Sequence, residues 1–275
     1  MLNADGGAVP RSWLFTPGSR PDRFAKAAAS AADALILDLE DAVAEERKVE
    51  ARGHVVAWLA GAPAVRQRIA VRINPLGRGV GLEDLVALSR LARAPDYVLV
   101  PKAEEPAELA LAARVLEEAG SAARLAALVE SARGVARAAD IAGATPRLVA
   151  LLFGAADYAA DLGQKVGVFR PDFARATVVN AAASAGIAAI DSPFFAIDEP
   201  DRHVLECRAG RDTGFWGKAA IHPAQLDAIG TAFSPTDAEH DLARRIMAAA
   251  PDGVGVLDGK MIDVAMVRWA RRLAG

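Results

Sequence analysis

ALILDLEDAV, residues 34–43, is the stretch on which the reading of the fold turns. It begins as an apolar, β-capable run suited to a buried strand, and then places Asp38, Glu40 and Asp41 almost side by side. Three carboxylates so close repel one another unless something cationic sits among them. A strand that stays apolar until its C-terminal end and turns charged there is the unit of an α/β fold whose site lies at the strand ends.

Working outward, the same kind of run recurs along the chain. SWLFTP (12–17), RIAVRIN (68–74), YVLVPK (97–102), RLAALVES (124–131), LVALLFGAAD (148–157), AAIDSPFF (188–195) and FWGKAAIH (215–222) bring the number to eight. Ala- and Leu-rich segments lie between them. In AELALAARVLEEAG (107–120), Leu109, Ala112, Ala113 and Leu116 repeat at helical spacing and Gly120 stops the helix. Short β-capable runs alternating with helices predict parallel strands. Eight alternations, with no GxGxxG turn after the first strand, predict an α/β fold of the (β/α)8 TIM-barrel type with a short C-terminal helical extension. The expected division is a tail over 1–11, a barrel over 12–235 and an extension over 236–275. In that extension the sequence predicts a helix near 237–250, a Gly-rich extended piece over 251–262 and a last helix over about 263–273. So small an extension cannot fold alone, and is expected to pack on the barrel or on a neighbouring subunit by burying Val264, Met266, Val267 and Trp269.

Composition narrows the function classes. The 275 residues are 53% hydrophobic and 24% charged, which supplies one large core and argues against disorder. With 32 Lys and Arg against 35 Asp and Glu, and no long basic block, nucleic acid is not an expected partner. The longest apolar run, 148–156, is far shorter than the roughly 20 residues that span a bilayer, so no membrane association is expected. The single cysteine, Cys207, has no catalytic context and reads as a half-buried thiol, which fits a reducing cytoplasm.

Charge gathers at the strand ends: Asp38, Glu40 and Asp41, then Arg72 and Asn74, Lys102, Glu130, Asp157 and Asp191. In a barrel those ends share the rim where active sites sit. Acids outnumber Arg72 and Lys102 there, and a multivalent cation would relieve the repulsion. Glu130 and Asp157, ending neighbouring strands about 4.8 Å apart, are the best ligands, and two carboxylates plus several waters is a magnesium preference. Zinc is disfavoured, since the four histidines at 54, 203, 222 and 240 show no ligand spacing. Each residue also has a plain structural reading. Asp41 and Asp157 could start helices, Lys102 could be a solvated rim charge, and Arg72 could pair with Glu40. His222 reads more readily as a structural hydrogen-bonder than as a general base.

LFTPGSRPDRFAKA, LILDLEDAVA with Lys48 and Arg52, VRIN, VPKAE, LVESARGV, FGAADYAADLG, IDSPFF, GKAAIHPAQ and DGKMID stand in one order over residues 12–272. In this the chain resembles the citrate lyase β-subunit-like proteins, of the wider group that includes malyl-CoA and citramalyl-CoA lyases and the HpcH/HpaI aldolases. The resemblance implies a Mg2+-dependent carbon–carbon lyase that splits a carboxylated 3-hydroxyacyl-CoA into an acyl-CoA and a 2-oxo acid. By motif, Glu130 and Asp157 look like its metal ligands, with Glu130 also near substrate, and Arg72 looks like the clamp on the oxo acid. Arg20 looks like a contact for the carrier's phosphates or the substrate carboxylate. Asp263 looks like an acid delivered from an adjacent subunit, which implies a homo-oligomer, a trimer or a dimer of trimers. Lys102 is an expected substrate contact, and Asp38, Glu40 and Asp41 would surround the site and orient Arg72. Two rivals share the scaffold: a class II pyruvate aldolase acting on free aldehydes, and a non-catalytic binding protein.

Overall fold

The computed structural model describes residues 9–61, 63–165 and 169–274. The first compact unit runs to Phe233 and contains a closed barrel of eight parallel strands. These are β1 Ser12–Pro17, β2 Ala34–Asp38, β3 Arg68–Arg72, β4 Tyr97–Val100, β5 Arg124–Val129, β6 Leu148–Phe153, β7 Ala188–Asp191 and β8 Gly217–Ala220. Each pairs with its sequence neighbour, and β8 closes onto β1 through Trp13 opposite Ala219. All eight expected runs are strands.

The helices are α1 Phe24–Ala28, α2 Lys48–Ala60, α3 Gly79–Ser89, α4 Pro106–Glu118, α5 Ala132–Ala136, α6 Ala138–Ala142, α7 Ala155–Asp161, α8 Asp172–Ser184, α9 Pro200–Thr213 and α10 Leu226–Phe233. Helix α4 buries Leu109, Ala112, Ala113 and Leu116, the stripe read from the sequence. It stops at Gly120, where the Gly120 and Ser121 N–H groups donate to the carbonyls of Glu117 and Leu116.

Successive strand residues face opposite sides of a sheet, so the buried residues divide by parity. Trp13, Ile36, Tyr97, Leu99, Leu128 and Ile190 belong to one cluster that fills the barrel. Leu35, Leu37, Val71, Val98, Val129 and Leu151 belong to another that includes the buried faces of the helices. Of the expected tail, residues 1–8 lie outside the described residues. Val9 and Pro10 are buried, and their carbonyls accept hydrogen bonds from the Trp216 and Trp13 indoles at 2.7 and 2.9 Å.

The second unit, from Ser234 on, has its own small core of Ala243, Ile246, Ala250, Ile262, Val267 and Ala270. It comprises α11 Asp237–Ala249, a hairpin of β9 Gly255–Leu257 and β10 Lys260–Ile262, and α12 Val264–Ala274. The piece read as merely extended is thus a hairpin. Asp258 and Gly259, both at positive φ, make its two-residue turn, and Asp-Gly is a favoured pair for such a turn. Of the four α12 side chains expected to be buried, Val267 is buried, while Val264, Met266 and Trp269 are exposed.

Candidate active site

Strand parity sorts the charged residues at the barrel rim. Asp38 continues the inward series Ala34 and Ile36, Arg72 follows inward Ala70, and Glu130 extends inward Ala126 and Leu128. Asp191 follows outward Ala189, contrary to its expected place in the ring. It lies in the layer between barrel and helices, where it accepts hydrogen bonds from Lys218 Nζ at 2.7 Å and Arg175 at 2.9 Å. Asn74 is likewise committed elsewhere: its side-chain amide donates to Asp84 at 2.7 Å and its oxygen accepts from Lys48 Nζ at 2.5 Å.

Arg72 is buried and fully oriented. Its Nε and Nη2 donate to the two oxygens of Asp38 at 2.6 and 2.7 Å, and its guanidinium lies over the Phe15 ring, 4.9 Å from the centroid. Asp38 also accepts the N–H groups of Glu40 and Ala42, so the turn after β2 and the arginine are tied to one carboxylate. The fork assigned by sequence to the substrate is therefore occupied by Asp38, and Nη1 is the outer corner. Nη1 lies 2.8 Å from Glu40 Oε2 and 3.7 Å from Asp41. The Glu40 contact lacks hydrogen-bond alignment, so that buried oxygen has no hydrogen-bond partner. Burial, only partly offset by Arg72, pushes Glu40 up to about 7. Burial also works against the charge of Arg72, but Asp38 and Glu40 more than offset it and hold the guanidinium above its usual range.

Glu130 sits just past the end of β5, 2% exposed. A side chain on Gly154, the residue after β6, would place its Cβ 2.5 Å from Glu130 Oε2. Asp157 does not end β6 as expected, but stands in the first turn of α7. The Lys102 ammonium joins the two acids. It hydrogen-bonds to Asp157 and lies 3.7 Å from Glu130, 3.6 Å from Glu40 and 3.5 Å from Asp41. Lys102 adopts φ 50°, and its backbone N–H donates to Glu130 Oε1 at 2.9 Å. Burial, partly offset by Lys102, pushes Glu130 up to about 8. Burial opposes the charge of Lys102 too, yet Glu130 and Asp157 hold it above its ordinary value.

The structure thus brings together Asp38, Glu40, Asp41, Arg72, Lys102, Glu130 and Asp157. Arg20 is exposed and pairs bidentately with Asp22 at 2.8 and 2.9 Å. Asp263 belongs to the C-terminal unit, where it caps α12 by accepting the Met266 N–H at 3.0 Å. His222 caps the turn after β8, its Nδ1 accepting the Ala224 N–H at 3.2 Å. Cys207 is fully buried rather than half-buried, 3.3 Å from His203, and burial pushes its thiol up to about 11, as befits an inert core residue.

Sequence reasoning gave no role to three supports: Phe15 beneath Arg72, Gly154 beside Glu130, and Lys48, which it named only as part of a motif. The Lys48 ammonium, buried at the start of α2, donates to the carbonyls of Leu39 and Glu40 at 3.3 and 3.2 Å and so fixes the acidic turn. A signal was present, because Lys48 shares the buried stripe of α2 with Ala51, Val55 and Leu59.

A divalent cation fits these residues. Two buried or half-buried carboxylates converge on one point that an ammonium reaches, a third has an orphaned buried oxygen, and Gly154 leaves room for the Glu130 carboxylate. Among the described residues no set of three or more His, Cys, Asp or Glu is arranged to hold a metal unaided. Two hard oxygen ligands with positions left for water and substrate are what Mg2+ prefers.

The sequence pattern of the HpcH/HpaI aldolase/citrate lyase family matches residues 11–223, and that of the carbon–carbon bond lyases of the TIM-barrel fold matches residues 176–275. The chain is 37% identical over 273 residues to a (3S)-malyl-CoA thioesterase of Cereibacter sphaeroides, covering 95% of this chain and 92% of the relative. It is 32% identical over 292 residues to the L-malyl-CoA/β-methylmalyl-CoA lyase of the same species, covering 94% and 92%. Among solved structures, the protein CitE from Mycobacterium tuberculosis in complex with magnesium, acetoacetate and coenzyme A superposes with a TM-score of 0.80 at 36% identity, covering 97% of each chain. No helix of the described residues is long and apolar enough to cross a membrane.

Proposed function

The chain belongs to the HpcH/HpaI aldolase/citrate lyase family, and from that premise we propose that it is a Mg2+-dependent lyase acting on a carboxylated 3-hydroxyacyl-CoA. The observation that carries this reading is the convergence of Glu130 and Asp157 beside a guanidinium locked by Asp38. Cleavage next to an alcohol leaves a 2-oxo acid and the enolate of an acyl thioester, and negative charge must be tolerated on both. Glu130 and Asp157 would hold the magnesium ion, whose bound charge supplies the electrostatic stabilisation of the developing oxyanion.

The chain's own residues do the positioning. Arg72, held by Asp38 and Phe15, presents its Nη1 corner as a fixed positive group for the oxo acid, with no reorganisation at the moment of reaction. Glu40, which burial pushes up to about 7 and so leaves partly protonated around pH 7, can release Nη1 to a substrate carboxylate at less cost than a fully charged partner would. Lys102 and Asp41 line the same rim and would meet the substrate's polar groups. Arg20, exposed after the first strand, would exchange Asp22 for the phosphates of the CoA. In the condensation direction a base must take a proton from the acyl α-carbon, and Asp263 of an adjacent subunit is the proposed base. The exposed apolar side chains Val264, Met266 and Trp269 on α12 support an assembly, taken here as a trimer or a dimer of trimers.

A second reading is favoured by the thioesterase relative: the same site could hydrolyse the thioester instead of the carbon–carbon bond. A panel of malyl-, methylmalyl- and citramalyl-CoA, assayed in parallel for 2-oxo acid and for free thiol, separates the readings. The lyase yields oxo acid without thiol, and the thioesterase yields thiol without oxo acid. Neither product from any member would sink both and leave the free-aldehyde aldolase or the binding protein.

A further inference from the structure

We propose that Lys102 is a built-in counter-ion that occupies the metal position of the magnesium-free protein and is expelled from it when the ion binds. The inference rests on the assignment of Glu130 and Asp157 as metal ligands. Its starting point is that one ammonium lies within 3.7 Å of Glu40, Asp41 and Glu130 and hydrogen-bonds to Asp157, acids contributed by the segments just after β2 and β5 and by the first turn of α7. Arg72 covers only part of this task, because its Nε and Nη2 are given to Asp38 and its Nη1 faces Glu40 and Asp41. Glu130 and Asp157 both pair with the Lys102 ammonium.

A magnesium ion takes carboxylate oxygens at about 2.1 Å, far closer than an ammonium that rests 3.7 Å from Glu130. An ion bound to the oxygens that now face Nζ would stand against Nζ itself, and a dication and an ammonium in contact repel strongly in a half-buried pocket. One must leave, and the lysine is built to do so without moving the main chain. Its backbone N–H is anchored to Glu130 Oε1 and the next N–H, of Ala103, to the Leu128 carbonyl at 3.0 Å. Its side chain is one-third exposed, so a flexible four-carbon stem has a route to solvent. The left-handed backbone of Lys102, costly for a residue with a β-carbon, is the conformation that joins this anchor to a stem aimed at the acids. The device keeps the acidic cluster compact when magnesium is scarce, and it weakens apparent affinity because the vacant site is only fractionally populated.

The test is calorimetric titration of Mg2+ into chelator-treated protein, wild type against Lys102→Asn, whose side chain tolerates positive φ, and Lys102→Met, which keeps the stem length. Both variants should bind Mg2+ at least about fivefold more tightly and melt at a lower temperature in EDTA, so that magnesium raises their Tm by more than it does in wild type. Unchanged or weaker binding in folded variants overturns the proposal. Wild-type protein gives an independent reading: acylation of Lys102 by an amine-reactive ester, followed by mass spectrometry, should rise severalfold on adding Mg2+, and unaltered labelling overturns it. Glu130→Gln separates this inference from its premise. If that variant binds Mg2+ like wild type, the ligand assignment falls and the proposal with it. If binding is lost in Glu130→Gln yet not tightened without the lysine, only the role of Lys102 falls.

Discussion

Gly154 and Glu130 are in such close approach that a β-carbon on Gly154 would lie 2.5 Å from both the Glu130 Cβ and its Oε2. The constraint is space and not backbone conformation, because Gly154 has a negative φ of −104°. Gly154→Ala should therefore fold, displace the Glu130 carboxylate, and lower Mg2+ affinity and catalytic efficiency by about tenfold or more. Wild-type Mg2+ affinity in the folded variant would show that the close approach is incidental.

Glu130→Gln and Asp157→Asn are expected to abolish turnover and Mg2+ binding while leaving the fold intact. Each replaces a ligand by a neutral amide in a cluster crowded with acids, where burial already pushes Glu130 up to about 8, so Tm in EDTA should not fall. Turnover that survives in either variant after exhaustive chelation would contradict the metal assignment.

Arg72→Lys keeps the charge and loses the two-point grip on Asp38 together with the flat contact on Phe15. A loss of at least about tenfold in kcat/KM is expected. Near-native kinetics would make the arginine a structural tie of the β2 turn.

If Asp263 acts across a subunit interface, the inactive variants Asp263→Asn and Glu130→Gln should complement one another. In randomly mixed rings about one site in four pairs an intact metal site with an intact acid, so about a quarter of wild-type activity should return. No recovery, with subunit exchange shown by mass, would exclude a role in trans.

His203, 4% exposed and stacked on Phe194, is pulled from 6.5 down to about 4 by burial, with Lys218 adding to the shift. The unfolded chain then binds this proton more readily than the folded one. The contribution of His203 to stability is flat above about 6.5 and is lost as pH falls toward 4. Glu40 and Glu130, raised by burial, act in the opposite sense, because their protonated forms favour the fold and that gain is lost as pH rises through about 7 and 8. The difference between wild type and His203→Gln isolates the histidine. The variant should lose less Tm between pH 7 and 4.5, and parallel curves for the two proteins would refute the assignment.

Periodicity alone carried the architecture, since a parallel strand must be apolar on both faces and a helix on one, and those patterns are written in residue order. It also carried the chemistry at the strand ends: Asp38, Arg72 and Glu130 sit on inward positions of β2 and β3 and just beyond β5, where a barrel opens to solvent. The same period, applied one step further, would have turned Asp191 outward, as its neighbour Ala189 indicates. What sequence could not supply was the sharing of partners. That Asp38 rather than substrate occupies the fork of Arg72, that Lys48 holds the acidic turn from the following helix, and that Lys102 fills the cluster from a left-handed backbone are decided by residues 8 to 55 positions apart. Each such pairing depends on distances of a few tenths of an ångström between groups on different strands, helices and turns. Composition and spacing set which charges reach the rim, and only the closed barrel sets which of them meet.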